Sequence, residues 1–114
     1  MKAKELITSG ISHNVLSSGT FVKGDVKTDD DFRLDGKLEG NIECGGKVVI
    51  GAKAEVIGNI NCLNADFMGK IQGNVVVQET VSLRASVVFD GEIVVKYLEI
   101  EPGATFNGTC KMIS

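Results

Sequence analysis

Few side chains in this 114-residue sequence could carry chemistry, and their spacing argues against most of it. His13 is the single histidine. It lies in the expected N-terminal tail, where a histidine is usually inert, so a relay that activates Ser or Cys through imidazole is poorly supported. The three cysteines, Cys44, Cys62 and Cys110, lack the short paired spacing of a zinc site and read as reduced thiols acting as small apolar residues. Asp29, Asp30 and Asp31 could offer carboxylates to a cation. Consecutive side chains rarely converge on one point, however, so a solvated corner is the expectation. No glycine-rich phosphate loop of the P-loop kind occurs. The sequence therefore predicts no enzyme, no cofactor and no metal site.

Composition narrows the class further. Twelve Lys and Arg against fifteen Asp and Glu give a net charge of -3, with no basic stripe to neutralise phosphates, so nucleic acid is not an expected partner. No apolar run is long enough to span a bilayer. Gly10, Ser12, His13 and Asn14 interrupt any signal-peptide core, which predicts a cytoplasmic chain. Fourteen glycines beside one proline and 5% aromatic residues must be explained by a regular fold.

The glycines are periodic. Gly24, Gly40, Gly58, Gly73, Gly91 and Gly108 recur at intervals of 16, 18, 15, 18 and 17 residues, and each opens a phrase such as Gly-Asp-Val or Gly-Asn-Ile. Two and four residues later stand Val26, Ile42, Ile60, Val75, Ile93, Cys110 and Thr28, Cys44, Cys62, Val77, Val95, Met112. A second pair of columns holds Phe32, Val48, Ala65, Val81, Leu98 with Leu34, Ile50, Phe67, Leu83, Ile100. A third holds Leu38, Val56, Ile71, Phe89, Phe106 with the small residues Gly36, Ala54, Gly69, Val87, Ala104. Apolar positions spaced by two are the strand signature.

Three short strands in each period of about 17 residues describe an all-β, triangular parallel β-helix of about six rungs, each stacked on the next at about 4.8 Å. The beat between strands is irregular, which favours the right-handed form over the strict six-residue beat of left-handed solenoids. Identical columns become ladders in a narrow core. Cys44 and Cys62 fall one rung apart, and Asn41, Asn59 and Asn74 could form a side-chain amide ladder. Residues 1–19 read as a flexible N-terminal tail and residues 20–114 as the β-helix. Neither end shows a capping element. Open strand edges and apolar side chains, Phe21, Val22 and Val26 at one end and Phe106, Cys110 and Met112 at the other, then invite end-to-end association with further copies.

These residues resemble the bactofilins, small bacterial cytoskeletal proteins, over about residues 19–112. The resemblance is carried by Ser18-Gly19-Thr20-Phe21-Val22-Lys23-Gly24, by Phe32-Arg33-Leu34-Asp35-Gly36, by the Gly-Asn-Ile repeats, and by the stretch from Gly103 to Met112. It implies a right-handed β-helix of about six triangular rungs. It also implies end-to-end polymerisation without nucleotide into nonpolar filaments, and scaffolding of cell-wall or envelope enzymes. Many members bind the inner face of the cell membrane through the N-terminal tail; here Lys2, Lys4, Leu6 and Ile7 could touch anionic lipid. A left-handed acyltransferase solenoid is disfavoured by the irregular beat and the lone His13. A glycan-binding or glycan-cleaving β-helix is disfavoured by corners too short to build a site.

Overall fold

The computed structural model describes residues 13–113, and every regular element among them is a β-strand. The first rung is built from β1 (His13–Leu16), β2 (Phe21–Lys23) and β3 (Val26–Thr28). The second comprises β4 (Asp31–Leu34), β5 (Lys37–Glu39) and β6 (Ile42–Cys44). The third comprises β7 (Lys47–Ile50), β8 (Glu55–Ile57) and β9 (Ile60–Cys62). After β10 (Asn64–Phe67), three longer strands bend around corners without losing their pairing: β11 (Lys70–Leu83), β12 (Val88–Ile100) and β13 (Thr105–Met112).

All pairing is parallel and joins a segment to its counterpart one rung away. One face runs β1-β4-β7-β10 and continues through the second half of β11 into the end of β12. A second runs β2-β5-β8 and on through β11, β12 and β13. The third runs β3-β6-β9 and ends in the last residues of β13. Six complete rungs result, so the solenoid of about six turns that the periodicity predicts is the fold observed.

The first rung begins earlier than expected. His13–Leu16 pair with Asp31–Leu34, and Leu16 packs against the core directly below Leu34. The expected boundary at residue 20 therefore falls inside a paired rung. Residues 1–12 of the expected tail, with Lys2, Lys4, Leu6 and Ile7, lie outside the described residues.

The core is a single file of inward side chains, six per rung. The second and third rungs bury Phe32, Leu34, Leu38, Ile42, Cys44 and Val48, Ile50, Ala54, Val56, Ile60, Cys62. Each rests on its own column, because a parallel ladder superposes residues of equal phase. No polar or charged residue is buried among the described residues. Burial of this kind needs a rung on both sides, since one turn encloses no volume of its own.

The corner between the second and third faces sets how closely rungs approach. Gly40, Gly58, Gly73, Gly91 and Gly108 have φ between +139° and +152°. A Cβ built on any of them would collide with the carbonyl oxygen of the glycine one rung below. Both the left-handed φ and the close backbone approach require glycine. Gly24 shares the conformation, at φ +134°, but among the described residues has no rung below and nothing within 4 Å of its would-be Cβ.

This difference gives a test. Gly73→Ala combines strain with collision and should lower stability by about 3–5 kcal/mol. Gly24→Ala incurs the strain alone and should cost about 1–2 kcal/mol. Thermal melts followed by circular dichroism measure both; equal losses would remove the collision from the explanation.

Candidate polymer interface

Among the described residues, the first and last rungs each have a neighbouring rung on one side only. In the last rung these are Leu98, Ile100, Ala104, Phe106, Cys110 and Met112, read from their pairing with Val81, Leu83, Val87, Phe89, Ile93 and Val95. Leu98, Ala104 and Phe106 are half-buried against the rung below, while Ile100 and Met112 are 53% and 54% exposed. Phe106 stacks on Phe89 with ring centroids 5.3 Å apart and planes 24° apart, which leaves its other face open. Cys110 Sγ lies 3.8 Å from Met112 Sδ. The surface is a flat apolar plate bordered by strands with no pairing partner on the outer side among the described residues.

The first rung is different. Its inward positions are Asn14, Leu16, Thr20, Val22, Val26 and Thr28. Val22 and Val26 are half-buried and packed against the core. Asn14 Nδ2 donates to Thr28 Oγ1 at 2.9 Å, a bond between the first and third faces. Thr28 Oγ1 also accepts from the Asp30 backbone N–H at 3.1 Å.

The six residues singled out from sequence thus divide. Val22, Val26, Phe106, Cys110 and Met112 occupy inward positions of the first and last rungs. Phe21 points outward from β2, is 54% exposed, and has the Lys37 ammonium 5.6 Å from its ring centroid. It belongs to the flank, because Val22 takes the inward position and neighbours alternate. Sequence reasoning did not single out Leu16, Leu98, Ile100 and Ala104 for the ends. The signal was available: each stands in a column whose other members are core residues.

The flanks carry their charges in pairs that connect rungs. Arg84 donates to both Asp66 carboxylate oxygens at 2.8 Å and to Glu101 at 3.0 Å, so one guanidinium ties together three rungs. This bidentate contact holds the Asp66 carboxyl below its usual range. Lys23–Glu39, Lys27–Glu43 and Lys37–Glu55 are exposed pairs at 3.6–3.9 Å, each joining a rung to the next. Such pairs contribute little individually, about 0–1 kcal/mol.

The remaining chemical candidates are placed in structural roles. Asp31 accepts the Lys47 backbone N–H at 2.9 Å. Asp29 and Asp30 are exposed beside it. The asparagine column is a ladder of another kind than expected. The backbone N–H groups of Asn41, Asn59 and Asn74 donate to the side-chain oxygens of Asp25, Asn41 and Asn59 one rung below, at 2.9, 3.1 and 3.2 Å. The column satisfies corner amides that the glycines turn away from the regular ladder. A shallow concavity of about 550 Å³ runs beside it, lined by Asn41, Asn59, Asn74, Lys27, Glu43 and Val76. Cys44 and Cys62 are buried in one column, and the Cys44 thiol donates to the Asp30 carbonyl at 3.0 Å. Burial pushes the Cys62 thiol up to about 12 and raises Cys44 as well.

Comparison with known proteins adds three findings. A family described as "Bactofilin: Polymer-forming cytoskeletal" matches residues 14–111. The chain is 25% identical over 105 residues to bactofilin BacO of Myxococcus xanthus, covering 92% of this chain and 83% of that protein. It is 27% identical over 111 residues to bactofilin BacP of the same organism, covering 96% of this chain and 46% of that one. No solved structure matches.

Thiol reactivity tests the placement of the cysteines, because the thiolate is the reactive form. In the folded, unassembled chain a maleimide should modify Cys110 alone, against three thiols after unfolding. Raising the pH to about 9 should speed Cys110 while Cys62, with its pKa near 12, stays protonated. Two or more thiols reacting before unfolding would show that the core is open.

Proposed function

The chain belongs to the bactofilin family, a polymer-forming cytoskeletal family, and from that premise we propose that it assembles end to end into filaments without nucleotide. The terminal rungs carry this reading. Among the described residues, the six inward side chains of the last rung have neighbours on one side only, and burial of the exposed Ile100 and Met112 would contribute about 1 kcal/mol each, with the open face of Phe106 adding to it. The unpaired edges of the same rung can bond to another chain in the same act. A further rung on that surface continues the core, so no other device is needed to drive assembly. The charged flanks stay solvated, which leaves the sides free for client proteins.

The filament would serve as a scaffold at the cell envelope, on the cytoplasmic side of the membrane, recruiting cell-wall enzymes. Membrane contact through Lys2, Lys4, Leu6 and Ile7 belongs to the same proposal. It requires only weak attachment per chain, because a polymer presents many tails at once.

Negative-stain microscopy of the purified chain in nucleotide-free buffer should show filaments. Phe106→Arg or Met112→Lys should abolish them, raising the concentration needed for assembly by roughly a hundredfold or more while the β circular dichroism is retained. A monodisperse monomer at high concentration would overturn the reading. Unchanged filaments in both variants would exclude the last rung as a contact.

A further inference from the structure

We propose that Asn107 is a self-modifying site. While the last rung is uncovered, the Gly108 backbone nitrogen displaces ammonia from the Asn107 side-chain amide, and covering that rung suppresses the reaction. The suppression rests on the assembly reading above; the site itself does not.

An amide nitrogen attacks the preceding asparagine side chain most readily when it belongs to glycine, which has no Cβ to crowd the approach. Asn107-Gly108 is the one such pair in the sequence. Every other asparagine precedes a residue with a Cβ, and Asn14, Asn41, Asn59 and Asn74 precede Val or Ile, whose branched side chains crowd it most. The nitrogen after Asn41 is also engaged, since the Ile42 N–H donates to the Asn59 carbonyl at 2.8 Å. Asn107 is exposed and faces outward from β13, because its neighbour Phe106 takes the inward position.

The Gly108 nitrogen is the one left free in its column. The N–H groups of Gly24, Gly40 and Gly58 each donate to the rung above, to the carbonyls of Glu39, Ile57 and Gln72 at 2.9 Å. The register sets Gly73, Gly91 and Gly108 in the same phase. Among the described residues β13 pairs with β12 alone, so the Gly108 N–H has the direction of its column and no acceptor. One rung below, Asp90-Gly91 has a similar sequence, but the register directs the Gly91 N–H to the Asn107 carbonyl. Extended strand geometry holds the Gly108 nitrogen away from the Asn107 side-chain carbon. A rung with one neighbour opens locally more often than one with two, and each opening brings the two within reach.

The step needs no reagent but water. The Gly108 nitrogen gives its proton to solvent and bonds to Asn107 Cγ; the Cγ–Nδ2 bond breaks, and Nδ2 takes up a proton and leaves as ammonia. Water then opens the resulting cyclic imide at either carbonyl, to aspartate or to isoaspartate, and nothing is oxidised or reduced. Both products add a negative charge at the last corner. Isoaspartate also inserts a methylene into the main chain, which shifts Gly108–Met112 off their ladder with Gly91–Val95 and carries Cys110 and Met112 out of the apolar plate. A chain left uncovered thus loses its last rung as a contact, and a covered chain keeps it.

Trypsin releases Tyr97–Lys111, in which Asn107 is the single asparagine. The wild-type chain is incubated at neutral pH below and above the concentration at which it assembles, and unfolded in guanidinium. In the dilute folded chain this peptide alone should gain the mass of an amide turned acid, and an isoaspartyl methyltransferase should label it. At about ten times the half-assembly concentration the rate should fall about tenfold, because only the uncovered rung reacts. Asn107→Gln, whose longer side chain closes the ring poorly, should show no gain and should still assemble after an incubation that costs the dilute wild type its assembly. No gain at Asn107 in the dilute folded chain over a time that converts the unfolded one would overturn the site, as would equal gain in the peptides of interior asparagines. Equal rates in dilute chains and in chains that microscopy shows as filaments would overturn the suppression. Gain at Asn107 in a chain that forms no filament at any concentration would uphold the site and overturn the assembly reading.

Discussion

A single turn of this chain cannot bury its own side chains, and every other property of the molecule follows from that. Six inward residues per rung meet the next rung above and below. A residue such as Ile60 or Val75 is enclosed because Ile42 and Ile93 complete its column from either direction. Stability in such a stack is a sum over neighbours. Interior rungs have two, and the first and last of the described rungs have one among the described residues.

Close stacking then dictates the corners. Rungs approach at the spacing of parallel strands, and at one corner the backbones meet where no Cβ fits between the glycine of one rung and the carbonyl of the next. That turn redirects an amide, and the residue after the glycine supplies its acceptor from the rung below: Asp25 for Asn41, Asn41 for Asn59, Asn59 for Asn74. The Gly-Asn phrase is therefore one device with two parts, glycine for approach and asparagine for satisfaction. The same arithmetic accounts for a core without polar groups. Every inward position is either continued by an identical column or lies at an end.

Most of this is legible in the sequence because a solenoid writes its register as columns. The periodic glycines and the apolar pairs spaced by two identify the three faces and place all of the buried residues from Phe32 to Val95. Legibility fails where a column loses its chemical likeness. Asn14 and Leu16 continue the Phe32 and Leu34 columns, but a polar residue and the absence of a preceding glycine phrase disguise them as tail. Phe21 shows the opposite error. An aromatic residue near an end invites assignment to the core, yet strand alternation gives that place to Val22 and leaves Phe21 over Lys37 on the flank. The position of the asparagine column is legible in the sequence and its bonding is not, because the direction of a backbone N–H at a corner is not written in residue types.

The terminal rungs connect stability to assembly. With a neighbour on one side only among the described residues, they are expected to be the least stable part of the stack and the first to open. A second copy that supplies the missing neighbour stabilises the rung it covers, so association and folding of the ends are linked by mass action. The last rung has only apolar groups to cover, and covering them completes the core. The first rung carries the Asn14–Thr28 bond, which joins its first and third faces through side chains. The inward side chains of the first and last rungs thus differ in what they would gain from losing water.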